Sequence, residues 1–243
     1  MLLMRLNKGL IVACLMFGLP AASFAAKFNQ DDLFKAVPSQ SKTVTPSPAA
    51  TSNAAGAFVN TVSSIKDADK KAKARKFLPI ANAKIAEEPN NAQYYLARAQ
   101  IYRDLEDYQL ALKDVNRSLE LKPSNQIAYE FRAAIYGQLL DWSSSLRDIN
   151  KAIEIGPQKA DLFQSRATNL LFMERFQEAL AAIDRSIAMD SNIASSYAIR
   201  GSARFHLHNY KGAQEDLLRA ESMEPGNAIA ARLRSLLQAA KRN

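Results

Sequence analysis

The chain has 243 residues, 48% of them apolar, and a formal charge of +8. That length suits one ordinary domain plus a tail, and the apolar fraction supports a buried core. Basic and acidic residues are interleaved through most of the chain, so there is no concentrated positive face for nucleic acid; only Lys66 to Lys76 comes near one.

Residues 1–25 read as an export signal. Arg5 and Lys8 precede an apolar run from Gly9 to Leu19 and small residues around Ala21 to Ala26, the order of a secretory leader. Cleavage after Ala25 lowers the formal charge from +8 to +6 and removes Cys14, the sole cysteine. The mature chain then has no disulfide and no thiolate ligand, and must stand on packing alone in an oxidising compartment. It is expected in a bacterial periplasm, or else secreted or tethered to the envelope. Ile11-Val12-Ala13-Cys14 loosely resembles a lipoprotein processing site, and an uncleaved leader is a further alternative. Membrane contact is expected only if the amino terminus is retained or lipidated.

Residues 26–57 are dominated by Pro, Ser, Thr and Ala, with Pro38, Pro46 and Pro48. Such a stretch buries too little to offset its ordering entropy and is expected to be a flexible tether. Residues 58–91 are helical in composition but off any pattern. Lys70 to Leu78 and Ile80 to Glu87 are rich in helix formers, and Pro79 between them is expected to end or kink the helix. The segment reads as a degenerate first unit that caps an array.

From residue 92 a 34-residue period takes over. Pro89, Pro123, Pro157 and Pro225 lie on it, with Ser191 at the one mark that lacks proline. Tyr95, Tyr129, Phe163 and Tyr197 share a column, as do Tyr108, Trp142, Phe176 and Tyr210. The units are 92–125, 126–159, 160–193 and 194–227, each expected to be two helices of about 14 residues stacked on its neighbours. Small residues recur where helices must approach closely: Ala99, Ala133, Ala167 and Gly201 on the first helix, Ala111, Ser145, Ala179 and Ala213 on the second. Turns are expected at Glu106-Asp107, Leu140-Asp141, Glu174-Arg175 and His208-Asn209. Residues 228–243, with Ile229, Leu233, Leu236 and Leu237 at helical spacing, read as a carboxy-terminal capping helix.

These columns resemble the tetratricopeptide repeat (TPR) family, closely from Ala92 to Asn227 and loosely from about Phe58. The resemblance implies an all-α, right-handed α-solenoid of stacked antiparallel helix pairs whose first helices line a concave groove. It also implies which columns face that groove: Leu96, Glu130, Gln164 and Ala198; Gln100, Ala134, Thr168 and Ser202; Asp104, Gln138, Phe172 and His206; with Arg103, Gly137, Leu171 and Phe205 beside them. Leu171 and Phe205 either touch a ligand or pack against the neighbouring unit. Family members that clamp a terminal carboxylate use lysine, asparagine and arginine at columns that hold Leu96, Gln100, Phe131 and Ser165 here, so that mode is not expected.

Arg98, Arg132, Arg166 and Arg200 form a column that Arg234 extends, and sixteen residues after the first four come Asp114, Asp148, Ala182 and Asp216. In an antiparallel pair that offset sets Arg98 against Asp114, Arg132 against Asp148 and Arg200 against Asp216 as structural ion pairs. Arg166 is left to turn to Asp184. The other reading is a ladder of arginines for an anionic ligand.

Nothing indicates catalysis, a cofactor or a metal. His206 and His208 are the only histidines, and residues two apart do not share a helical face. The sequence therefore reads as a non-enzymatic interaction module: a scaffold, adaptor or periplasmic chaperone binding a peptide or helix of another protein. An accessory or regulatory subunit of an envelope enzyme, with the chemistry in its partner, is the competing class.

Overall fold

The structure, a computed structural model, describes residues 67–241. The expected leader, the tether, residues 58–66 of the first unit and the last two residues lie outside the described residues. Those described form two compact units that divide after Leu121.

The first unit contains α1 (Asp67–Glu87), α2 (Ala92–Asp104) and α3 (Tyr108–Leu121). Pro79 does not separate two helices; it lies inside α1, which runs 21 residues. Proline removes one backbone donor, but Arg75, whose carbonyl loses that partner, is exposed along with Pro79. Ala74 and Ala81, two turns apart on one face, bury against Ile101 with Phe77, Leu78 and Leu105 around them. Packing on both sides of the proline holds the helix together.

The second unit contains α4 (Gln126–Gln138), α5 (Trp142–Ile155), α6 (Ala160–Phe172), α7 (Phe176–Met189), α8 (Ala194–His206), α9 (Tyr210–Met223) and α10 (Ala228–Ala240). Helix pairs α4–α5, α6–α7 and α8–α9 pack within repeats, α5 against α6 and α7 against α8 between them, and α10 closes on α8 and α9. Every first helix has 13 residues and every second helix of a repeat 14. The architecture is an all-α solenoid of stacked antiparallel helix pairs. Its core is made at the small-residue columns: Ala99, Ala111, Ala167, Ala179 and Ala213 are wholly buried. Phe131 and Phe163 are the largest fully enclosed side chains.

At the mark without proline the chain keeps what the neighbouring helix needs. Tyr95 Oη donates to the Pro89 carbonyl at 2.9 Å, and Tyr197 Oη donates to the Ser191 carbonyl at 3.2 Å. The tyrosine reads a backbone oxygen, which serine supplies as well as proline.

The turn within each repeat is a Schellman cap. In the first, Glu106 N–H bonds the Arg103 carbonyl and Asp107 N–H reaches back to Tyr102; the same two bonds recur after α4, α6 and α8. The cap needs a left-handed residue, and Glu106, Leu140, Glu174 and His208 occupy that place with φ of 63°, 61°, 58° and 62°. None is glycine, and an L side chain there costs about 1–2 kcal/mol. Leu140 is 44% exposed, so its side chain returns little. Leu140→Gly should therefore raise stability by about 1 kcal/mol in urea unfolding; a loss would mean that the leucine packs more than its exposure indicates.

Candidate protein-binding face

The arginine column is internal bonding. Arg98 Nε and Nη2 each donate to Asp114 at 2.7 Å, and Arg132 repeats both bonds to Asp148 at 2.7 Å. Arg200 donates to Asp216 through Nη2 at 2.7 Å and Nε at 3.1 Å. Bidentate geometry makes these the strong form of the contact, and bonding to the aspartate holds each guanidinium above its ordinary range. Each of these arginines also lies over the tyrosine three residues before it. A second contact points sixteen residues backward: Arg98 Nη1 to Asn82 at 2.9 Å, Arg200 Nη1 to Asp184 at 3.2 Å. That corrects the expectation for Arg166. Asp184 belongs to Arg200, because the backward offset brings α7 onto α8. Arg234 instead bonds Glu221 at 2.7 Å.

The columns read as groove-facing divide in two. Leu96, Gln100, Glu130, Gln164 and Thr168 are less than a tenth exposed. Their polar groups serve the array: Glu130 accepts from Lys159 Nζ at 3.1 Å, Gln164 Nε2 donates to Ser195 Oγ at 2.7 Å, and Thr168 Oγ1 donates to the Gln164 carbonyl at 3.0 Å. Arg103 bonds Asp104 at 3.1 Å, and Lys70 lies 3.5 Å from the same carboxylate, so Asp104 is already engaged by two cations of its own unit. Leu171 packs on the core of the third repeat and Phe205 on that of the fourth.

What remains open in the second unit is Ala134, exposed, and Gln138, Phe172 and Ser202, half-buried, with His206 exposed. Ser202 Oγ is turned back to the Ala198 carbonyl at 2.9 Å. Phe172 stacks on Trp142 at 4.5 Å and 14°, and His206 on Phe176 at 4.5 Å and 5°. Each stack joins the end of a first helix to the start of the preceding repeat's second helix. Sequence reasoning placed Trp142 and Phe176 in a structural column and missed these partners; the shared thirty-residue offset, 142 to 172 and 176 to 206, was the available signal. Although the residue is exposed, partial desolvation of the ring lowers the His206 imidazole pKa, with the Arg232 charge acting the same way, which favours its neutral form. His208 Nδ1 meets Tyr210 Oη at 3.0 Å instead of joining it. Among the described residues no three His, Cys, Asp or Glu side chains gather to hold a metal, and no helix is long and apolar enough to cross a membrane.

The fold is a helical-repeat solenoid of TPR-like architecture. Residues 92–125 match the family model of the tetratricopeptide repeat, and the three following units have the same helix lengths and caps. No curated protein matches the sequence. Among solved structures the chain is similar to YrrB, described as a TPR protein with an unusual peptide-binding site, at 22% identity over 67% of this chain and 84% of that one, TM-score 0.57. It is similar to MamA at 17% identity over 68% and 98% of the two chains, TM-score 0.59. A tetratricopeptide repeat protein from Parabacteroides merdae matches at 20% identity over 75% of each chain, TM-score 0.51. Identities this low show a shared fold.

Proposed function

We propose that this chain is a non-enzymatic scaffold that binds a peptide or helix of another protein along the first helices of its second unit. The observation that carries the reading is the pair of stacked rings, Phe172 on Trp142 and His206 on Phe176. Flat groups set on a rigid base, beside the open Ala134, lose little freedom on contact and make effective binding anchors. The peptide-binding site described for YrrB lends support by analogy of fold.

A photoreactive residue at Gln138 should crosslink the partner in native extract. Phe172→Ala should cut that capture about 30-fold, the effect of losing a hot spot worth about 2 kcal/mol, with thermal melting little changed. Capture that survives the substitution rejects the face. Phe205→Ala is the poorer probe, since Phe205 packs on the core of its own repeat. Export to the periplasm belongs to the same proposal, on the strength of residues 1–25. Sequencing the amino terminus of the mature protein tests it, and an intact Met1 with a cytosolic fraction would overturn it.

A further inference from the structure

In the third repeat the arginine column has lost its acid. Arg166 stands where Arg98, Arg132 and Arg200 stand, and Ala182, 6% exposed, stands where each of those finds an aspartate. Arg166 Nε is buried and has no hydrogen-bond partner among the described residues. The usual substitutes are engaged elsewhere. Asp184 bonds Arg200, and the ring of Phe163, in the tyrosine column, lies under Arg185 at 4.6 Å. Glu178 is held below the ordinary carboxylate range chiefly by Arg175, with a smaller contribution from the charge of Arg166. Arg175 takes both Glu178 oxygens at 2.7 Å.

A buried guanidinium donor is costly to leave without an acceptor. The sister repeats show what satisfies it: two carboxylate oxygens, 2.7 Å from Nε and Nη2. Alanine and aspartate differ by one carboxylate group. We propose that Arg166 forms an anion site between α6 and α7, which takes one small free carboxylate, formate or acetate in size, in place of the missing aspartate side chain. All four repeats would then share one bonding scheme, with the third supplied from solution.

The full chain is titrated with sodium formate against sodium sulfate at matched ionic strength. Formate should raise Tm saturably by about 2–4 °C, the shift expected for one satisfied group in a chain of this length. It should also move the Arg166 Nε–H resonance, assigned by its loss in Arg166→Lys. Ala182→Asp should show a comparable rise without formate and no further response to it. A formate response that persists in Ala182→Asp, an Ala182→Asp chain that melts lower or does not fold, or a parent chain indifferent to formate would each overturn the site.

Discussion

Asp216→Ala should destabilise the protein by about 3–5 kcal/mol, as removing one partner of a buried ion pair does. Asp216 is 3% exposed, and three groups converge on it: Arg200 Nη2 at 2.7 Å, Arg200 Nε at 3.1 Å and Arg204 Nη1 at 2.8 Å. Without the carboxylate two guanidinium groups, one turn apart on α8, are left side by side facing α9 with no anion between them. The mutual repulsion adds to the desolvation that the lost bonds no longer offset. Asp184→Ala is the internal control. It removes the other acid on Arg200, but that side chain is 51% exposed, and an exposed pair contributes about 0–1 kcal/mol. Urea unfolding of the two variants checks the claim. Equal losses would mean that water satisfies the arginines and that the enclosed aspartate is no special anchor.

Gly201→Val should cost about 3 kcal/mol, the upper end of the range for overpacking. The other repeats carry alanine in this column, so a methyl group is normally welcome there. At Gly201 a Cβ would overlap Leu233 Cδ2 and lie 3.1 Å from Asp216 Cβ and 3.2 Å from the Ala213 carbonyl oxygen. The first obstacle is a side chain that can shift, but the last is backbone of α9. Leu233 is fully buried and sits among Ala198, Ala213, Leu217 and Leu237, so moving it opens the seam that α10 closes. The glycine is therefore matched to the capping helix. Gly201→Ala should cost less, and Leu233→Ala should recover part of that smaller loss, a coupling readable in a double-mutant cycle. A Gly201→Val chain that unfolds with the parent would mean that α10 does not dock there.

The repeat architecture was legible because apolar and small residues recur with a fixed period, and packing leaves such a period few alternatives. The turns were legible in place but not in conformation. Glu106, Leu140, Glu174 and His208 carry no signal for a left-handed residue, since the Schellman bonds and the helices on either side impose it. Pro79 misled for the complementary reason: local chemistry favours a break, and burial of Ala74 and Ala81 overrides it. The candidate face was read only in part. Glu130 and Gln164 look solvent-facing as residue types, yet Lys159 and Ser195, about thirty residues on, make them interior. Partners that far apart in sequence cannot be assigned from the column alone.

Arg200 bonds Asp184 on α7 and Asp216 on α9 while sitting on α8. In a linear stack, stability is a sum of repeat terms and nearest-neighbour couplings, and one guanidinium here contributes to both. The third and fourth repeats are thereby tied to open together. Among the described residues Arg166 makes no counterpart of that tie toward α5, where Asn150 occupies the corresponding mark. By this ionic measure the joint between the second and third repeats is the softer one. Within the second unit, heat or force should part that joint before the one between the third and fourth repeats, with the last two repeats and α10 leaving as a block.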